Sequence, residues 1–237
     1  VIHVLYIILG VLFVSWSIFI YLIIKNRRLD GFYLKGLTSF SFIFLYAYDV
    51  YHILVNSLSE INESIAVMIV AIGLGLVMGL IGDLFLEIQY FYPIRRTKQI
   101  KYGMIVFGFG HLFYLAALAE LINFNLLSLV IGLVMTLLTY IGAIVLKLDF
   151  GKLKLFTYGY SFVIFTMVGQ SIFQAIDLNA STFSIVFMVG AIFFGISDLL
   201  LAPIYFKKES NNIFVIANLG TYYLGQALIA LSIYYLL

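Results

Sequence analysis

At 237 residues, 64% of them hydrophobic and 10% charged, with a mean hydropathy of +1.14, the chain is too apolar for a soluble domain. In such domains about a quarter of residues carry charge. The formal net charge is only +2, and the absence of cysteine excludes a disulfide framework, a thiolate nucleophile and a thiolate metal site.

The first ten residues, VIHVLYIILG, lack the basic leader and small-residue cleavage pattern of a signal peptide. They read as the start of a first spanning helix, with the initiator Met absent. Apolar runs of about 20 residues, the length that crosses a bilayer, recur near 2–24, 33–55, 65–90, 102–122, 126–146, 153–176, 183–205 and 213–236. The expected fold is therefore an all-α integral membrane protein, a single transmembrane domain of eight helices in a compact bundle. Short connections such as NFN and DLNAST force sequential helices to run antiparallel.

Connections one, three, five and seven, with their helix edges, hold all 13 Lys and Arg residues, from Lys25 to Lys208. The positive-inside rule puts those connections in the cytoplasm and both termini outside. The opposite side carries Asp49, Glu60, Glu63, Glu120 and Asp177, which read as solvated helix ends and loop residues.

The chain also repeats itself. IGDLFL in the third span returns as ISDLLL in the seventh, 115 positions later, and KGLT opening the second returns as KLFT opening the sixth. GHLFYLAAL in the fourth span aligns with GTYYLGQAL in the eighth. Because each repeat skips an even number of helices, the halves 1–122 and 123–237 are expected to be parallel repeats about an axis along the membrane normal. Asp83 and Asp198 then occupy equivalent positions beside one central cavity.

Both acids sit on small-residue faces that favour close helix approach: Gly75, Gly79 and Gly82 precede Asp83, and Ala191, Gly195 and Ala202 flank Asp198. Each Asp is thus expected to face protein. An acid in mid-helix costs about 2.5 to 3.5 kcal/mol on insertion scales and generally lines a cavity or ion path. A purely structural role, capped by hydroxyls and amides, is the plain alternative. At 1.5 Å per helical residue, both lie roughly 12 Å below the basic surface. His111, Tyr114, Tyr222, Tyr223 and Gln226 start near that level. Lys35 enters from the basic edge, where it can also act as an ordinary interfacial anchor, and Glu87, one turn beyond Asp83, reads as interfacial.

A catalytic zinc generally takes three protein ligands, often including more than one histidine. Only His111 lies near the acids, with His3 and His52 at the far ends, so no metal site is expected. Ser197 sits in no strand-turn-helix elbow and lacks a base for nucleophilic catalysis. No cofactor and no nucleic-acid partner is expected.

The motifs KGLT at 35–38, GDLFL at 82–86, GHLFY at 110–114, SDLLLA at 197–202 and TYYLGQALIALS at 221–232 resemble those of the YhhN-like membrane proteins, whose animal members include lysoplasmalogenase. One departure is Gly36, where the family typically shows proline. The resemblance implies a membrane-embedded hydrolase that cleaves the vinyl-ether bond of a lysoplasmalogen to a fatty aldehyde and a glycerophospho-alcohol. A vinyl ether hydrolyses by protonation at carbon, giving an oxocarbenium-like ion that water captures. Two carboxylates in different environments can divide the acid and base roles, as in glycosidases. On that basis Asp83 and Asp198 are the expected acid/base pair, their division undecided. Lys35 is expected to meet the phosphate of a lysophospholipid from the inner leaflet. His111, Tyr222 and Gln226 would position water or the leaving oxygen, and Tyr114 and Tyr223 would line the binding pocket. The alternative is a proton-coupled transporter or lipid-binding protein, since intramembrane acids in parallel repeats also build carriers.

Overall fold

The computed structural model describes residues 2–25, 27–207 and 211–237, without the side chains of Ile2 and His3. Lys208 and the side chain of His3 therefore lie outside the described residues. The described residues form eight long helices: α1 (Ile2–Ile24), α2 (Arg28–Asn56), α3 (Glu63–Ile88), α4 (Arg96–Leu121), α5 (Leu127–Val145), α6 (Lys154–Asp177), α7 (Thr182–Phe206) and α8 (Asn212–Ser232). All eight are long and apolar enough to cross a membrane. The outer faces of α1 and α5 agree with that, since Phe13, Val14, Leu133 and Leu137 are all more than half exposed. Such side chains suit lipid, with every backbone polar group satisfied inside the helix.

Two helices begin earlier than their apolar runs. α2 starts at Arg28 and α4 at Arg96, five to six residues before the hydrophobic stretches that mark them in the sequence. Helical hydrogen bonding does not stop where hydropathy does, and these extra turns bring two arginines to the basic end of the bundle. Local capping fixes other starts: Asn62 accepts from the Ile65 amide at 2.9 Å, and the Ser181 hydroxyl caps α7 through the Ser184 amide.

The helices pack as sequential pairs, α1 with α2, α3 with α4, α5 with α6 and α7 with α8, and α2, α3 and α7 also contribute to the shared interior with α8. Glycine determines two of the crossings. A Cβ on Gly110 of α4 would stand 3.2 Å from the Gly75 carbonyl oxygen of α3. A Cβ on Gly225 of α8 would stand 2.9 Å from the Gly190 carbonyl oxygen and 2.9 Å from the Phe194 amide nitrogen of α7. The second pair lies 115 positions after the first, the same offset that relates Asp83 to Asp198.

The remaining small residues do something different from admitting a neighbouring backbone. Gly79 and Gly82 leave room for the side chains of Gln226 and Phe107, and Gly195 receives Phe165 of α6. Because backbone cannot yield as a side chain can, Gly225→Ala is expected to cost about 1 to 3 kcal/mol through overpacking. Thermal unfolding in detergent should show a lower midpoint for it, whereas Gly142→Ala, with no atom within 4 Å of the new carbon, should unfold like the parent. An unchanged midpoint for Gly225→Ala would show that α7 and α8 are not held at this crossing.

Candidate active site: two carboxylates on one polar cavity

A cavity of about 290 Å³ opens at the basic end of the bundle. Its wall includes Asp83 from α3 and Asp198 from α7, together with Arg28, Lys35, Glu87, Arg96 and Tyr222. The expectation that the two acids meet one chamber and face protein is met. Their surroundings, however, differ sharply.

Asp83 is buried, 3% exposed, and its hydrogen-bonding capacity is heavily used. Ser39 Oγ donates to Oδ2 at 2.7 Å, Tyr222 Oη donates to the same oxygen at 2.6 Å, and the Lys35 ammonium stands 3.4 Å from Oδ1. Lys35 and Ser39 reach it together because they are one helical turn apart on the inner face of α2. A chain of donors leads in behind: Tyr114 Oη donates to Gln226 Oε1 at 3.0 Å, and Gln226 Nε2 donates to Tyr222 Oη at 3.5 Å. Tyr223 touches the same knot, 3.2 Å from Ser39 Oγ and donating to the Lys35 carbonyl at 3.5 Å.

Asp198 has no cationic partner among the described residues. Among the described residues its side-chain hydrogen bond comes from the hydroxyl of Tyr160 on α6, and that hydroxyl lies 3.3 Å from His111 Nε2. The imidazole is buried, its other nitrogen without a partner among the described residues, and it stands perpendicular to the Phe194 ring at 4.7 Å between centroids. Lys154, which opens KLFT, is exposed where Lys35 of KGLT is buried, and it does not pair with Asp198 as Lys35 does with Asp83.

Asp198 also borders a second, mainly apolar cavity of about 60 Å³. The two cavities share Leu86, Phe107, Leu201 and Tyr205 as well as Asp198. The carboxyl group thus stands where polar space meets apolar space.

Several expectations need correction. Lys35 is not a free cation at the rim: its ammonium is 3.4 Å from Asp83 and 3.5 Å from Glu87, and the residue is 6% exposed. Glu87 is not interfacial but buried, with its second oxygen 4.0 Å from Arg28. Asp49 is not a solvated helix end; it is fully buried, in register with Phe42, Leu45 and Ile53 on the inner face of α2, and neither oxygen has a hydrogen-bond partner among the described residues. Glu60, Glu63, Glu120 and Asp177 are exposed as expected.

Of the residues read as binding groups, Lys35 and Tyr222 line the polar cavity, whereas His111, Tyr114, Tyr223 and Gln226 stand one layer behind it. No three His, Cys, Asp or Glu residues gather into a metal-holding group among the described residues. His52 lies against Tyr234, 4.8 Å between ring centroids, near the far end. Ser197 donates its hydroxyl to the Phe194 carbonyl at 2.7 Å and has no nucleophile's freedom.

Ser39, Tyr160, Arg28 and Arg96 escaped the reading of the sequence. Ser39 carried a usable signal, one turn past Lys35, and Tyr160 lies one turn past Thr157 in the repeated KLFT segment.

Among the described residues, eight helices long and apolar enough to cross a membrane, with two inward carboxylates on one polar chamber, define a multi-pass membrane protein with an internal acid pair. Residues 37–233 match the YhhN family, and the chain belongs to it. Neither the curated proteins nor the solved structures offer a match.

Proposed function

We propose that the protein is a membrane-embedded ether hydrolase that cleaves the vinyl-ether bond of lysoplasmalogen-type lysophospholipids taken from the inner leaflet. The observation that carries this reading is the unequal environment of two carboxylates on one cavity: Asp83 is matched by an ammonium and two hydroxyls, while Asp198 has a single tyrosine donor. That asymmetry divides the labour. Asp198 is the acid and Asp83 the standing carboxylate.

The vinyl ether sits with its double bond at Asp198, the chain directed into the apolar cavity and the glycerol in the polar one. Asp198 gives its proton to the alkenyl carbon distant from oxygen, leaving an oxocarbenium ion. Asp83 supplies negative charge across the chamber and accepts a proton from the water that adds to the cation. The resulting hemiacetal collapses as the proton held by Asp83 passes to its ether oxygen and its hydroxyl proton passes to Asp198, releasing the glycerophospho-alcohol and the aldehyde and restoring both carboxyl groups. Tyr160 holds Asp198 in position from α6, and His111 backs Tyr160. General acid catalysis of this kind contributes about a hundred- to ten-thousandfold.

The alternative is a proton-coupled carrier, and here the helices argue for the enzyme. Carriers built from repeats generally bind substrate on interrupted helices, yet α3 and α7 run unbroken through Asp83 and Asp198. The four-helix halves are read as parallel repeats, supported by the common offset of 115 for both the acids and the glycine crossings. The basic connections are read as cytoplasmic, with the termini outside.

The deciding experiment incubates purified protein in detergent with a lysoplasmalogen and follows aldehyde. Its release in proportion to protein is expected; protein-dependent uptake into liposomes with no aldehyde formed would favour the carrier instead.

A further inference from the structure

The mouth of the polar cavity has a chemistry of its own. Arg28 and Arg96 both line it, along with Asn212. These three are the first residues of α2, α4 and α8. Neither arginine is hydrogen-bonded to an acid among the described residues. Arg28 stands 4.0 Å from Glu87, beyond hydrogen-bonding distance, with its guanidinium over the Tyr90 ring at 4.0 Å. Arg96 donates to the Tyr205 carbonyl at 2.8 Å and has no acidic partner among the described residues.

Charge on the wall points the same way. Lys35, Arg28 and Arg96 supply three positive charges, and Asp83 and Glu87 supply two negative ones. With Asp198 holding its proton, as the proposed acid role requires, one positive charge is left over. Lys35, wedged between two carboxylates, cannot be its centre. The surplus lies at the mouth, where three helix N-termini add partial positive charge and guanidinium forks match the oxygens of a phosphate.

We propose that Arg28 and Arg96 form a phosphate subsite at the cavity mouth that selects phosphate-bearing ligands, in the role that the family resemblance suggests for Lys35. This rests on the hydrolase reading only for its charge balance and for the direction in which the ligand lies. The phosphate at the mouth, the ether at Asp198 and the chain in the apolar cavity then follow one line through the protein.

The test measures binding, not turnover. Calorimetric titration in detergent compares a saturated-ether lysophosphatidylethanolamine, which lacks the cleavable bond, with the matching alkylglycerol that lacks phosphate. The parent protein should bind the phospholipid at least about tenfold more tightly, given the strength of charge-assisted hydrogen bonds. The Arg28→Gln, Arg96→Gln double variant should bind the two equally, with alkylglycerol affinity unchanged. Glycerophosphoethanolamine separates the sources: weak binding supports a lipid headgroup, and binding as tight as the lipid's supports a soluble phosphoester at the same arginines.

Equal affinity of the parent protein for both lipids, or a surviving tenfold preference in the double variant, would overturn the subsite. Should the double variant not fold, raising the ionic strength on the parent protein serves instead. The preference should shrink with salt while alkylglycerol binding stays constant, and a salt-independent preference would overturn it. Failure of the hydrolase reading appears separately, as an absence of aldehyde from the unsaturated lipid.

Discussion

Asp198→Asn should abolish nearly all aldehyde release, lowering kcat by roughly the hundred- to ten-thousandfold that a positioned general acid supplies, while the protein still inserts and unfolds like its parent. The amide keeps an oxygen to accept the Tyr160 hydroxyl, so the local geometry survives and only the transferable proton is lost. Asp83→Asn should also fall sharply, because its oxygen still accepts from Ser39 and Tyr222 but no longer carries charge opposite the cation. The double variant should be little worse than Asp198→Asn, since residues acting as a unit do not add. Full activity in Asp198→Asn would remove the acid assigned here. Full activity in both single variants would remove the pair.

The second large effect falls on stability. Lys35→Met should cost about 3 to 5 kcal/mol, the range seen when one partner of a buried ion pair is deleted. Two buried carboxylates lose their common cation in that variant, with Asp83 3.4 Å and Glu87 3.5 Å from the missing nitrogen. Adding Asp83→Asn and Glu87→Gln to the same protein should recover most of the loss, because the desolvated charges disappear with their counterion. Equilibrium unfolding in mixed micelles reads both. A Lys35→Met variant as stable as the parent would mean that the carboxylates find another way to neutralise themselves, and that Lys35 is not what holds α2 against α3.

Much of this architecture is visible in the amino-acid order. Membrane spans announce themselves by length and apolarity, and the eight helices follow the eight runs because little else fits a hydrocarbon slab. The convergence of Asp83 and Asp198 was legible for a related reason: a charge too costly to face lipid must face protein.

Facing was harder to read. α3 and α7 are apolar all round, so hydropathy gives no inner side, and the small residues that seemed to mark one turn out to serve several neighbours. Gly75 leaves room for the Tyr114 ring, Gly79 meets Gln226 and Gly195 meets Phe165. Pairing between distant helices was harder still. Nothing in the sequence says that Tyr160 of α6, not the lysine of the repeated motif, would serve Asp198. Nor does apolarity show that α2 and α4 continue past their hydrophobic runs, the extension that brings Arg28 and Arg96 to the cavity mouth. Asp49 was misplaced because closeness to a helix end says little about which face a residue occupies. Seven residues from the end of α2, it still points inward.

The most direct measurement follows hydrolysis of a lysoplasmalogen by the purified protein in heavy water, with mass spectrometry of the aldehyde trapped as it forms. Proton transfer to carbon predicts one deuterium per molecule on the carbon beside the carbonyl, and almost no product from Asp198→Asn. Undeuterated aldehyde, or the same yield from the variant, would contradict the account.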